Sequence, residues 1–276
     1  EITDINQDGW PDLVASGEWM PLSIWINSNG GFLNKTNEYG LSCTNGLWNT
    51  LLVKDLNGDH IPDIIGGNLG TNSFFKPGMK LFLNDFDQNG TEEQIICQHI
   101  NQKYYPIVDK DELISQLPYL KKKIVKYENY ANASIEDLFS TTQLEESQIS
   151  ELNTLKSAVF VSTTEGYVSH ELPSEIQYAP VYAIAQIDKG NPSKGTLFFG
   201  GNQFLVKPQF GRYDASKGWV INYSINENKI DFEIPQILGV NGQIRQLKIV
   251  NSLSRNKLLI GINDNETKML NLTENK

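Results

Sequence analysis

Cysteine is nearly absent: Cys43 and Cys97 are the only two in 276 residues, far apart and in unlike contexts. They form no CxxC and no evident metal pair, and a bridge, a free thiol and plain packing all remain open for them. No run of about 18 apolar residues occurs, so no membrane-spanning helix is encoded. The start at Glu1, with neither Met nor a signal segment and directly before an acidic loop, reads as a cut from a longer chain. Basic residues are the minority, 23 against 33 acidic ones, for a net charge of −10. That balance argues against nucleic acid as the main partner, because phosphate binding needs a basic surface. The three histidines, His60, His99 and His170, belong to no recognisable catalytic motif, and no GxSxG, HExxH or P-loop sequence occurs.

What is present describes a soluble, turn-rich, mainly β protein: 39% hydrophobic and 20% charged residues, with 22 Gly and 11 Pro. The length accommodates one large core or two ordinary ones. Three segments share one spacing: DINQDGWPD (4–12), DLNGDHIPD (55–63) and DFDQNGTEE (85–93). Each places oxygen side chains at loop positions 1, 3, 5 and 9, namely Asp4, Asn6, Asp8 and Asp12; Asp55, Asn57, Asp59 and Asp63; Asp85, Asp87, Asn89 and Glu93. The position-7 carbonyl of Trp10, Ile61 or Thr91 adds a fifth oxygen. Hard oxygen ligands in this number suit Ca²⁺ better than Mg²⁺, which demands strict octahedral geometry, and zinc would need Cys or His.

An EF-hand begins similarly but closes with Glu at position 12, where these loops carry Ala15, Gly66 and Ile96. Asp12 and Asp63 run straight into apolar strands rather than helices, so the loops connect strands. Asp, Asn and Gly cluster in ordinary turns too, but three loops at equal spacing exceed what turn preference alone explains. The nine carboxylates at these ligand positions, three in each loop, would repel one another without a cation. Two to three Ca²⁺ ions are expected, and three would bring the formal charge from −10 to −4. The third loop, with Glu at position 9, and the second, with His60 in the usual Gly place, depart most from the pattern; His visits the left-handed region more readily than most residues.

A longer repeat surrounds the loops. Asp4 and Asp55 lie 51 residues apart. A degenerate copy starts at Asp188 and ends in TLFFGGN (196–202), matching IIGGN (64–68), and a fourth starts at Asn251 and ends at Asn263. Strand pairs recur upstream of the loops, starting at Ile24, Val159 and Trp219, 31, 29 and 32 residues before the next copy. From Asp55 to Asp188 the gap is 133 residues, and removing an insertion from about Gly78 to Ser157 restores the period. The expected division is 1–77, repeat units with two calcium loops; 78–157, a hairpin bearing the third loop and then short helices; and 158–276, repeat units with degenerate loops. In the insertion, Leu113, Leu117, Leu120, Ile124 and Tyr127 keep near-helical spacing with Pro118 as a boundary, and capping boxes are expected at Ser134 and Thr142. Lys121, Lys122, Lys123 and Lys126 form a basic cluster, either a docking patch or a solvated helix face.

Units of about 50 residues with such loops, followed by Gly-Gly-Asn strands, resemble the FG-GAP/VCBS repeats of integrin α-subunit propellers, and Phe199-Gly200-Gly201 is similar to the name-giving dipeptide. The insertion, from Asp85 through Asp111 to Lys123, resembles the C-terminal propeller of secreted repeat proteins related to ASPIC/UnbV and cartilage acidic protein, of the Bacteroidetes type. The resemblance implies an all-β fold, a β-propeller of about six to eight four-stranded blades with a helical insertion, of which this chain supplies part and upstream sequence the rest. It implies the loop residues above as calcium ligands, with Asp188 matching a first ligand only. It further implies an extracytoplasmic location, at the cell surface, outer membrane or in secretion, and a binding or assembly module, an accessory of a bacterial surface complex, with a protein or glycan partner. The alternative is a propeller-fold carbohydrate-active enzyme, a lyase or hydrolase; against it, the regular spacing assigns the paired carboxylates to calcium before acid/base work. A third reading is carbohydrate recognition by Trp10, Trp19, Trp25, Trp48 or Trp219, residues that propeller strands also bury in their cores. Sequons begin at Asn34, Asn89, Asn132, Asn222, Asn265 and Asn271.

Overall fold

The computed structural model describes residues 1–251 and 256–272. Residues 252–255, within the fourth repeat copy, and Thr273 of the last sequon lie outside the described residues. The chain forms two compact units: Glu1–Phe74 with Thr154–Lys276, and Phe75–Asn153.

The first unit opens with β1 (Ile2–Thr3), β2 (Asp12–Ala15), β3 (Glu18–Met20), β4 (Ser23–Ser28), β5 (Gly31–Asn34), β6 (Gly46–Leu47), β7 (Thr50–Lys54) and β8 (Asp63–Gly67). The second unit follows with β9 (Lys80–Asn84), β10 (Glu93–Ile100), β11 (Lys103–Pro106), α1 (Lys110–Gln116), α2 (Tyr127–Ala131), α3 (Ile135–Leu138), α4 (Thr141–Glu145) and β12 (Gln148–Glu151). The first unit then resumes with β13 (Ala158–Thr163), β14 (Gly166–Glu171), β15 (Val181–Asn191), β16 (Lys194–Gly201), β17 (Trp219–Asn226), β18 (Lys229–Phe232), β19 (Gln236–Ile237), β20 (Gln243–Val250), β21 (Lys257–Asn263) and β22 (Lys268–Asn271).

Four antiparallel sheets follow one another in the first unit, ordered β1-β2-β4-β5, β7-β8-β13-β14, β15-β16-β17-β18 and β20-β21-β22. The second unit is thus inserted between the second and third strands of the second sheet. Alternation puts one side-chain row of each strand on each face, so an inner sheet needs apolar residues on both. Three cores result. Val14, Ile24, Ile64 and Phe160 join the first sheet to the second. Ile65, Val159, Leu197, Phe199 and Ile221 join the second to the third. Ala183, Phe198, Ile244, Leu258 and Ile260 join the third to the fourth. The neighbours Ile64 and Ile65, and Phe198 and Phe199, therefore serve opposite cores, as period-two geometry requires. The chain is all-β, and sheets packed face to face in series are the arrangement of a β-propeller.

The Gly-Gly-Asn ends of β8 and β16 have a steric cause. A Cβ on Gly66 would lie 2.6 Å from the Trp48 ring, and one on Gly201 only 1.6 Å from the Pro180 carbonyl oxygen. The asparagine that follows saturates backbone left over by the strand ends. Asn68 Oδ1 accepts from Leu47 and Leu69 N–H at 3.0 and 2.8 Å. Asn202 accepts from Ser216 N–H and donates to the carbonyls of Ser216 and Gly242.

The second unit is a four-stranded antiparallel sheet, β11-β10-β9-β12, whose core Phe82, Ile95 and Cys97 share with Leu113, Leu117, Leu120, Ile124, Ile135 and Leu138. Pro118 ends α1 and starts a 3₁₀ turn, Pro118–Lys122, as a ring without an N–H should. Tyr127 departs from the expected buried stripe and is exposed, because the chain leaves the helix before reaching it. Ser134 caps α3 by a capping box. The second box belongs to Ser140 with Gln143, not to Thr142; Ser140 holds the extended conformation a cap needs, and Thr142 lies inside the helix. Both cysteines are free thiols, Cys97 buried and Cys43 exposed.

Candidate metal centre

The three acidic loops share one backbone. Positions 4 and 6 are left-handed in each: Gln7 and Gly9 (φ 60° and 88°), Gly58 and His60 (85° and 70°), Gln88 and Gly90 (58° and 89°). His60 thus takes the glycine conformation, which His tolerates better than bulkier or branched residues. The position-1 carboxylate closes the turn in each case. Asp4 accepts from Asp8 and Gly9 N–H, Asp55 from Asn57, Gly58 and His60 N–H, and Asp85 from Asn89 and Gly90 N–H. Asn6 and Asp8, and likewise Asn57 and Asp59, pair by side-chain bonds of 2.9 Å. The backbone N–H of Trp10, Ile61 and Thr91 bonds the position-5 side chain, 2.8 Å from Asp8, Asp59 and Asn89 respectively.

Position 9 is where the loops diverge. Asp12 and Asp63 are completely buried, and each uses both oxygens on backbone. Asp12 accepts from Ile5 N–H and, across the sheet, from Asn27 N–H on β4, both at 2.8 Å. Asp63 accepts from Leu56 N–H and from Ser162 N–H on β13, again at 2.8 Å, with the Ser162 hydroxyl at 3.0 Å. These carboxylates fasten the loop to the third strand of its own sheet. Burial pushes the Asp63 carboxyl up to about 6, against the pull of the Ser162 and Leu56 hydrogen bonds.

Glu93 starts β10 and repeats the inner half of this scheme, accepting from Phe86 N–H at 2.9 Å. Here the carboxylates converge. Oxygens of Asp85, Asp87 and Glu93 all lie within 4.8 Å of one another, the one such group of three His, Cys, Asp or Glu among the described residues. Asp87 Oδ1 is sealed from solvent with no hydrogen-bond partner. An acceptor left so is costly, about 1–3 kcal/mol and more when charged. Burial, and after it the charges of Asp87 and Asp85, raise the Glu93 carboxyl above its ordinary value despite the Phe86 N–H bond. A cation among these oxygens removes both penalties. The donor set is all hard oxygen, two Asp and one Glu beside Asn89 and the Thr91 carbonyl, so the residues fit calcium.

The bracing of this loop comes from residues far along the chain. Gln143, on α4, donates from Nε2 to the Phe86 carbonyl at 2.8 Å while its own carbonyl accepts from Asn84 Nδ2 at 2.7 Å. Its Oε1 accepts from Ser140 N–H, so the capping box also holds the loop. Phe86 stacks on Phe139 with ring centroids 4.2 Å apart. The usable signal is the Ser-x-x-Gln spacing at 140–143, two residues before the box expected at Thr142.

The degenerate third copy has a different cation. Asp188 pairs with Lys54 Nζ at 3.1 Å and accepts from Gln186 Nε2 at 2.7 Å. The histidines are scattered: His60 lies exposed in its loop, His99 stacks on Tyr104, and His170 Nε2 bonds the Asn228 carbonyl at 2.7 Å. Of the tryptophans, Trp48 is buried against Phe160, while Trp10 is two-thirds exposed. No helix among the described residues is long and apolar enough to cross a membrane.

No curated protein matches the sequence. Residues 4–66, which hold the first two loops and end in the Gly66 strand, match the family model of the FG-GAP-like repeat. Residues 4–66 therefore carry an FG-GAP-like repeat, and they open a series of antiparallel sheets, the arrangement of a β-propeller.

Proposed function

We propose that the protein is a calcium-ordered binding or assembly module of an extracytoplasmic surface. The observation that carries this reading is the sealed, unpartnered Asp87 oxygen inside a group of three carboxylates. Asp85, Asp87, Asn89, Glu93 and the Thr91 carbonyl hold calcium in the third loop. Asp4, Asn6, Asp8, Asp12 and the Trp10 carbonyl, and Asp55, Asn57, Asp59, Asp63 and the Ile61 carbonyl, serve the same ion in the first two. Asp12 and Asp63 there keep their backbone bonds. When bound, the ion supplies charge neutralisation and rigidity rather than reaction chemistry.

Ordered loops matter because they touch one another within the first unit. Gln7 Nε2 bonds the His60 carbonyl at 2.9 Å, and Ser193 Oγ bonds the Asn57 carbonyl at 2.8 Å. Fixing one loop therefore steadies a rim built by three sheets. A protein or glycan at the cell surface is the partner such a rim serves. Differential scanning calorimetry with 2 equivalents of EDTA per site against roughly millimolar Ca²⁺, the affinity range of extracellular calcium modules, tests it. A clear rise in melting temperature with calcium is expected, and equal melting in both buffers refutes the reading.

A further inference from the structure

The first two acidic loops follow the ends of β1 and β7, the first strands of their sheets; the starts of the corresponding strands of the third and fourth sheets, β15 and β20, carry different chemistry. β15 packs between β7 and β20, and β15 and β20 are each bulged near their start. Register slips between Val181 and Ala183 and between Ile244 and Gln246, leaving Tyr182 and Arg245 as the unpaired residues. A bulge re-aims the side chain it leaves unpaired. The two re-aimed side chains meet: the Arg245 guanidinium carbon lies 4.1 Å from the Tyr182 ring centroid.

Arg245 is held but not neutralised. Nη1 donates to the carbonyls of Asn202 at 2.8 Å and Ile244 at 3.2 Å, and Nη2 to Gln243 Oε1 at 3.2 Å. Of its five N–H donors, the Nε–H and one Nη2–H have no acceptor among the described residues. The Nε–H lies on the side-on edge by which a guanidinium grips a carboxylate, with Nη2 as the second donor of that edge. Arg212 shows the contrast, since it lies 3.2 Å from its own carboxylate, Asp214. No such partner meets Arg245 among the described residues, in a chain whose net charge is −10. Beside it, Gln203 accepts from the Tyr182 hydroxyl at 2.9 Å, and its amide N–H groups meet no acceptor among the described residues.

We propose that Arg245, set by Tyr182 and flanked by Gln203, is a carboxylate-binding clamp for a peptide segment of a protein partner. A peptide is favoured over an acidic polysaccharide on two grounds. Leu205, two residues beyond Gln203, is 88% exposed and offers an apolar neighbour to a side chain. A polyuronate brings a charge on every sugar, which a protein of net charge −10 repels. The clamp rests on the binding-module reading and supplies its ligand chemistry, but it stands apart from the calcium loops.

The chain has three arginines, so the arginine Nε–H resonances of the ¹⁵N-labelled full chain can be followed singly, with Arg245→Lys assigning the one in question. N-acetylleucine is expected to shift the Arg245 resonance saturably, whereas N-acetylleucinamide and NaCl at matched ionic strength leave it in place. Arg245→Lys, which cannot fork, is expected to weaken binding at least tenfold with an unchanged melting temperature. Should that variant fail to fold, Gln203→Ala is expected to weaken binding about threefold. Absence of a saturable shift, an equal response of Arg212, or tighter binding of glucuronate than of N-acetylleucine overturns the proposal. The calcium-dependent melting shift, measured on the same sample, reports separately on the module reading.

Discussion

At the residue scale, the position-9 carboxylate does two things at once. Asp63 is fully buried and accepts from Leu56 N–H, Ser162 N–H and the Ser162 hydroxyl, so it is a structural acceptor before it is a ligand. An amide in its place offers one acceptor oxygen and two unwanted donors. Asp63→Asn is expected to destabilise the chain by about 1–3 kcal/mol, read as a lower urea midpoint. Its titration has a definite sign. Burial lifts the folded carboxyl to about 6 from an ordinary value of 3.8, so the folded state binds the proton more tightly. The stability this confers is present in full below the unfolded value and is lost as pH rises through about 6. In EDTA, the difference between wild type and Asp63→Asn should therefore be larger at pH 3.5 than at pH 7, falling as pH rises through about 6; a difference independent of pH contradicts the assignment. Calcium, which favours the ionised form, should flatten this dependence.

At the element scale, the third loop depends on a helix far along the sequence. Gln143 reads both the Ser140 cap and the Phe86 carbonyl, so one side chain couples helix start to loop. Gln143→Ala is expected to weaken calcium at this loop about tenfold, the usual cost of removing a support behind a ligand, with titration calorimetry as the measure. Ser140→Ala should cost about 1 kcal/mol of stability and weaken calcium in the same direction. Much of this level was legible in the sequence. The D/N alternation, the left-handed position of Gly9, His60 and Gly90, and the hairpin around residues 85–93 all follow from local chemistry, because a tight turn leaves few choices; the second left-handed position, at Gln7, Gly58 and Gln88, does not. The brace was not, since nothing in a one-dimensional spacing reports that Gln143 reaches back to residue 86. The same holds for Tyr182 and Arg245: a bulge is a mismatch between two strands, and neither strand alone displays it.

At the scale of the whole molecule, the repeat period foretold serial sheets, and the cores show why. Each inner sheet buries both faces, so adjacent positions such as Phe198 and Phe199 cannot be polar. Phe199→Ala, emptying the core between the second and third sheets, should cost about 3–5 kcal/mol. The Gly-Gly-Asn strand ends were visible as a motif, but their cause, a ring or carbonyl where a Cβ would stand, needed the packed neighbours. In sequence the third and second loops depart most from the pattern, and the structure draws a different line: two loops have position-9 carboxylates spent on backbone, and the third gathers three carboxylates around a sealed oxygen. The most direct test of a calcium-ordered module is therefore isothermal titration of EDTA-stripped protein with Ca²⁺, comparing wild type with Asp87→Ala, which removes the ligand oxygen altogether. Loss of one saturable site in the variant, with the melting-temperature gain reduced accordingly, is the expected result; identical isotherms for the two proteins contradict it.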